Sequence, residues 1–317
     1  VILVSDYPRP QCVRSEWQSL NGSWEYSFQN TSLDKVRWKG AIQVPFPPES
    51  ELSGLGDQSY HAVIWYQKTF SIPKEWGKMR ILLHFGAVDY SAKVWVNTTL
   101  KMEPDIDKKT LKLSVNAQET LEKITVKAIA LQDGQIVAEK IGNLGESLNL
   151  VIPNAKLWSP DEPFLYDLNV TLLQDEEVID EVSIYFGMRN IEAKKDETGV
   201  MRLFLNNQVL FQFGLLDQGF WPDGLYTAPT DEALRYDIEV TKKLGFNMIR
   251  KHVKVEPARW YYWAEKLGVL VWQDIPSGDA YAQNGEGEIK RNEASAKQFE
   301  LELKEMIDEH FNHQSTA

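Results

Sequence analysis

Cysteine is almost missing. The one thiol, Cys12, excludes an intrachain disulfide and any metal site built from several cysteines, and is read as a buried or idle group. Long apolar runs are missing too: no stretch approaches the roughly 20 apolar residues that a membrane-spanning helix needs, so no membrane span is expected. Positive charge is in deficit, 34 Lys and Arg against 46 Asp and Glu, a formal charge of −12. A phosphate backbone would be repelled, and no basic stripe offsets this, so nucleic acid is not an expected partner. The short Lys-Lys pairs at 108–109 and 242–243 read as solvated faces. The first apolar residues, 1–4, are too few for the core of a secretion signal, although a chain that had lost its leader would look the same. The compartment stays open, with a periplasmic or secreted location favoured over a cytoplasmic one.

What the chain has is apolar residues at 43% and a generous supply of flat amphipathic rings, 11 Trp and 12 Tyr. The first is enough to bury a core, and 317 residues suffice for two or three domains at about 100–200 residues each. The second suits sugar recognition, because a pyranose offers an apolar C–H face to an aromatic ring, but β-sandwich cores consume the same residues.

Short apolar runs at 23–28, 41–44, 63–70, 81–85 and 93–97, divided by turns such as Pro45-Phe46-Pro47-Pro48, read as strands. The run at 63–70 opens with β-branched and aromatic residues without polar alternation, which predicts a strand covered on both faces. A second strand-rich block follows at 111–118, 123–131, 148–153, 166–173 and 181–187, with alternation cleanest at Leu111, Leu113, Val115 and at Ile124, Val126, Ala128. Five or more such strands suggest an immunoglobulin-like sandwich.

After Gly187 the period changes. Residues 203–213 read as a hairpin turning at Asn206-Asn207, and strands then alternate with helices. One helix starts at Thr230, with Leu234, Ile238 and Leu244 as its stripe and Gly245 as its stop. Another starts at Pro257 and stops at Gly268, and a third ends near His310 with Phe299, Leu303, Met306 and Ile307 on its buried stripe. Three β/α units imply parallel strands. The segment 214–224, GLLDQGFWPDG, lacks the GxGxxG spacing of a doubly wound nucleotide fold, which favours a barrel.

In a (β/α) barrel, function gathers at the C-terminal ends of the strands. The polar residues there are Asp217 and Gln218, then Arg250, Lys251 and His252, then Trp272, Gln273 and Asp274. Asp217, Arg250, His252, Trp272 and Asp274 are the candidate substrate-binding residues: charged groups can hold sugar hydroxyls while the indole stacks on the ring. Each has a plainer reading, with Arg250 and Asp274 as a structural ion pair, His252 as a satisfied barrel histidine and Trp272 as core. The cluster Trp260, Tyr261, Tyr262, Trp263 reads as helix packing. Glu309, His310 and His313 approach metal-ligand spacing but read as an exposed helix end, so no metal and no cofactor are expected.

RPQCVRSEWQSLNGSWEY at 9–26, VIWYQKTFSIP at 63–73 and HFGAVDYSAKVWVN at 84–97 resemble the sugar-binding jelly-roll domain of glycoside hydrolase family 2, in its β-galactosidase-like branch. LWSPDEPFLYDLNV at 157–170 resembles the end of that family's immunoglobulin-like domain. GFNMIRKHVKVEPARWYYWAEKLGVLVWQDIPSGD at 245–279 resembles its second and third barrel strands. The resemblance implies a jelly-roll β-sandwich over 1–98, an immunoglobulin-like β-sandwich over 99–188 and the first part of a (β/α)8 TIM barrel over 189–317. It also implies a carbohydrate as partner and hydrolysis of a β-linked glycoside, a galactoside before others. Family members usually continue after VWVN with a Gly-Gly-Tyr-containing stretch, whereas here Asn97 runs almost directly into LKMEPDIDKKTLKL, as though residues were missing after Asn97.

The implied mechanism is retaining, with one glutamic acid protonating the glycosidic oxygen and another attacking the anomeric carbon. The family's acid/base follows an Asn-His-Pro-Ser-like segment. Here that segment is Asn312, His313, Gln314, Ser315, so both glutamates are expected beyond Ala317 and this stretch by itself is expected to be inactive. Three β/α units also cannot close a barrel. The rival readings are a non-catalytic carbohydrate-binding protein of the same architecture and a structural or adhesion module.

Overall fold

The computed structural model describes residues 7, 9–31, 35–76, 83, 98–117, 123–276 and 291–316, with backbone alone at 98, 99 and 117. The expected strand at 93–97, and that at 81–85 apart from Leu83, lie outside them. Five sheets occur among the described residues, in a mostly-β arrangement that divides into two compact units.

The first unit comprises Val1–Pro8, Arg14–Val94 and Gly219–Asp237. Its sheet is antiparallel, with β1 (Gly22–Ser27) between β2 (Gly40–Val44) and β3 (Trp65–Gln67). Trp24 pairs with the fully buried Ile42, and its indole N–H donates to the Leu20 carbonyl at 2.7 Å. The strand expected over 63–70 is regular for three residues only, and Tyr66 and Phe70 are exposed. Coverage on both faces is therefore corrected. Aromatic and β-branched content reports strand propensity, not the number of layers around a strand, and β3 is an edge of its sheet among the described residues.

The second unit comprises Arg9–Val13, Trp95–Gln218 and Ile238–Ala317. Its main core lies between two antiparallel sheets. One orders β4 (Thr98–Asp105), β5 (Thr110–Ala117) and β8 (Ser147–Val151). The other runs β10 (Glu177–Phe186), β9 (Tyr166–Gln174), β6 (Ile124–Gln132) and β7 (Gln135–Asn143). Because successive side chains leave a strand on opposite faces, Val126, Ala128 and Ala130 of β6 point the same way as Leu172, Val170 and Leu168, their register partners on β9. They meet Leu111, Leu113, Val115, Leu148 and Leu150 of the other sheet in one buried cluster, against which the half-buried Cys12 packs. The hairpins are tight. Asp133-Gly134, Asp175-Glu176 and Asn206-Asn207 all have positive φ at both central positions, the geometry that suits the right-handed strand twist.

A small antiparallel sheet of β11 (Ile191–Lys195), β12 (Met201–Leu205) and β13 (Gln208–Val209) precedes the change of period. Then come β14 (Gly214–Asp217), α1 (Asp231–Lys243), β15 (Met248–Lys251), α2 (Ala258–Leu267), β16 (Leu270–Gln273) and α3 (Glu293–His310). The strands pair in parallel in the order β14-β15-β16, and a further parallel bridge joins Val271 to Thr316 beyond α3.

The caps are those the sequence announces. Thr230 Oγ1 accepts from the Ala233 N–H at 3.1 Å, and the helix ends at Gly245 with φ +85°. Gly268 closes α2 in the left-handed region, where a Cβ would also lie 2.4 Å from the Pro160 carbonyl. Leu234 and Ile238 of α1 are buried, but Leu244 is exposed because it follows the last helical turn. On α3 the inward phase is Phe299, Leu303, Met306 and His310, which leaves Ile307 exposed, a correction to the expected stripe.

Candidate functional site

The tips of β14, β15 and β16 are placed by register. Leu216, Arg250 and Trp272 stand at one level, and Asp217, Lys251 and Gln273 at the next. Alternation sends these two levels to opposite faces. Strand geometry carries on one residue further, since the His252 N–H donates to the Asp217 carbonyl and the Asp274 N–H to the Lys251 carbonyl. His252 and Asp274 thus return to the face of Arg250 and Trp272.

That face is open. Trp272 is 40% exposed and the Arg250 side chain 46%. Arg250 forks onto Asp274, Nε to Oδ1 at 3.2 Å and Nη2 to Oδ2 at 2.9 Å, and His252 Nδ1 meets the same Oδ2 at 2.6 Å. Partial burial works against ionisation of Asp274, but the hydrogen bonds from Arg250 and His252 outweigh it and hold the carboxyl below its ordinary value. The same hydrogen bond raises the Arg250 guanidinium. The Trp272 indole N–H donates to Gln212 Oε1. The result is a flat ring beside a guanidinium, an imidazole and a carboxylate, with polar edges open to solvent.

Asp217 is not in this group. Its Oδ2 accepts from Lys251 Nζ on the other face. Lys251 is fully buried, lies 4.2 Å from the centre of the Trp260 ring and also donates to Glu256 Oε1 at 2.8 Å, an oxygen that Lys254 Nζ approaches at 3.2 Å. Burial pushes the Lys254 ammonium down against the pull of Glu256. Parity along a strand separates 217 and 251 from 250, 252, 272 and 274, and that parity is readable once the strands are aligned. The burial of the lysines is less readable, because Lys251 and Lys254 resemble solvated charges until α2 covers them.

A second polar cluster escapes the sequence. Glu265 of α2 is fully buried; it accepts from the Tyr185 hydroxyl and the Gln314 N–H, and its Oε1 lies 3.1 Å from His313 Nδ1. Burial, with the Glu265 charge, pushes the Tyr185 phenol well up. His310 and His313, expected at an exposed helix end, are instead 7% and 3% exposed and pack on Tyr261. The i,i+3 pair falls on the inward phase of α3 and its exit, which the spacing alone did not show. Grooves of about 690 and 540 Å³ open elsewhere on this unit, one beside β4 and β5 and one beside Arg189 and His310. None of the five candidate residues lines either groove.

Comparison with known proteins fits this organisation. Residues 89–189 match the model of Glycosyl hydrolases family 2. A putative beta-glucuronidase of Formosa agariphila is 24% identical across 88% of this chain and 34% of its own length. A beta-galactosidase of Thermoanaerobacter pseudethanolicus is 21% identical across 93% and 48%. This chain therefore spans about a third to a half of the length of these relatives. Among solved structures, a β-glucuronidase from Ruminococcus gnavus superposes with a TM-score of 0.72 at 16% identity, over 96% of this chain and 66% of that one, which shows a shared fold. Over residues 89–189 the chain is thus similar to glycosyl hydrolases family 2, and over most of its length it is similar to proteins named as beta-glucuronidase and beta-galactosidase.

Proposed function

We propose that this chain supplies the glycone-holding part of a β-glycoside hydrolase. In this reading 1–98 is a jelly-roll β-sandwich, 99–188 an immunoglobulin-like β-sandwich and 189–317 the first part of a (β/α)8 barrel. The two-sheet core around Leu113 and Leu168 and the sequential parallel order β14-β15-β16 support the last two assignments.

The observation that carries the proposal is the convergence of Arg250, His252 and Asp274 beside the open Trp272 ring at the C-terminal ends of parallel strands. Hydroxyl groups of a sugar both donate and accept. Asp274 accepts, Arg250 donates, His252 offers its other ring nitrogen, and the indole covers an apolar C–H face. None of these groups attacks the anomeric carbon; in the retaining scheme that step and protonation of the leaving oxygen belong to two glutamic acids. Asp217 serves the site from behind, through Lys251.

Charge favours a neutral glycone, the galactoside, over a uronate. Arg250 already spends Nε and Nη2 on Asp274, so the tip offers little uncompensated positive charge to a sugar carboxylate. The test is titration of the protein with methyl β-D-galactopyranoside and methyl β-D-glucuronide, followed by NMR. The galactoside should bind more tightly and lose affinity in Arg250→Ala. Unchanged affinity in that variant removes Arg250 from the site, and preference for the glucuronide overturns the neutral-glycone reading.

A further inference from the structure

Gln273 sits between the two loops that carry the tip residues, and its amide is fully committed. Nε2 donates to the Lys254 carbonyl at 2.8 Å and to the Asp274 carbonyl at 2.7 Å, while Oε1 accepts from the Tyr261 hydroxyl. Two carbonyl acceptors can face only an NH₂ group, so the network itself fixes which end of the amide points where. Tyr261 is fully buried on α2, and its oxygen also accepts from the Glu256 N–H at 3.3 Å, which holds the far side of the same loop.

The loop needs holding. Between His252 and Lys254, Val253 has φ +54°, a left-handed conformation that a β-branched residue adopts only under constraint. The chain then closes a short cycle: His252 to Lys254 through Val253, the Lys254 carbonyl to the Gln273 amide, Gln273 to Asp274 by one peptide bond, and Asp274 back to His252 by their hydrogen bond. With both amide hydrogens taken, Gln273 has none left to give a sugar.

We propose that Gln273 is a positioning residue, which clamps the loop after β15 to Asp274 and so sets the alignment of His252 and Arg250 on that carboxylate. The inference rests on the glycone-holding reading of the tip, but its geometry is tested without a sugar. A filler that merely satisfies buried carbonyls would leave the Asp274 environment unchanged when exchanged. A clamp would not.

The experiment follows the Asp274 carboxyl carbon by NMR, assigned by its disappearance in Asp274→Asn, in the wild type, Gln273→Ala and Gln273→Glu. In the wild type the carboxyl titrates below its ordinary value. In Gln273→Ala the midpoint should climb toward that ordinary value, because Arg250 and His252 are no longer held on it, and affinity for methyl β-D-galactopyranoside should fall about tenfold. Gln273→Glu should restore the low midpoint, since the new carboxyl is protonated at that pH and donates to one carbonyl. At neutral pH its carboxylate would face two carbonyl oxygens, and galactoside affinity should drop again.

An Asp274 midpoint unmoved in Gln273→Ala overturns the clamp whether or not sugar binds. A midpoint that moves, in a protein whose wild type binds no galactoside, supports the clamp and removes the sugar reading. Should Gln273→Ala fail to fold, the pH dependence of galactoside binding by Gln273→Glu decides: affinity that falls between acid and neutral pH more than in the wild type supports the clamp, and a pH dependence like the wild type's overturns it.

Discussion

The two-sheet core of the second unit and its parallel sheet use strands in opposite ways. Between β5 and β6 every inward position is apolar, and charge is kept to the outer faces. At the ends of β14 to β16, by contrast, lysines are fully enclosed and aligned on carboxylates, and an arginine and a tryptophan stand open. Apolar packing tolerates moderate change without altering chemistry. Buried charges tolerate little, because each unpaired ion carries its full desolvation cost. The difference separates a part of the molecule built on apolar packing from a part built on paired polar groups.

The largest effect should come from the apolar side. Phe186 is fully buried and stacks on Tyr166 at 5.2 Å, so Phe186→Ala should destabilise the protein by about 3–5 kcal/mol in urea denaturation. A loss near zero would mean that the two sheets do not share one packed core. Next comes the buried charge. Glu256→Gln leaves Lys251 and Lys254 with one carboxylate fewer and should cost about 3 kcal/mol, although the exchange is nearly isosteric. If it is silent, the lysines are not held as charged groups, and the contrast between the regions collapses.

Strand alternation made much of this legible. The inward residues of β5, β6 and β9 are those the period-2 pattern selects, and the helix caps at Thr230 and Gly268 fall where the sequence puts them. β7 was not legible, because an edge strand with Ile136 and Ile141 exposed has no buried face to enforce a pattern. β4 carries Glu103, Pro104 and Asp105, which interrupt apolar alternation, and it was not among the expected strands. Arg250, His252, Trp272 and Asp274 were legible as neighbours because strand tips concentrate polar residues, and the structure sets them on one face. Asp217 is a strand-tip residue too, but strand parity turns it toward Lys251 on the opposite face. Gln273 was visible as a tip residue, but nothing in a linear sequence shows that its amide spans two loops.

A smaller effect sharpens the comparison from the polar side. Arg250→Ala should leave the denaturation midpoint nearly unchanged, since the ion pair is solvent-exposed, while galactoside affinity falls about tenfold. Equal loss of both would make Arg250 a structural residue like those of the core. Smallest is the response to acid. Asp274 has a depressed folded-state pKa, so its contribution is present above the ordinary carboxylate value and is lost as pH falls through the folded value. Galactoside affinity should therefore persist through mildly acidic pH and fail only below the usual carboxylate range. Failure already near neutral pH would contradict control by the Asp274 carboxyl.

The most direct measurement is the indole N–H resonance of Trp272 during titration with methyl β-D-galactopyranoside, assigned by its loss in Trp272→Phe. A saturable shift of that resonance, weakened in Arg250→Ala, is what a sugar seated on the strand tips produces. Saturable binding that leaves the Trp272 resonance unmoved would put the sugar elsewhere and contradict the account.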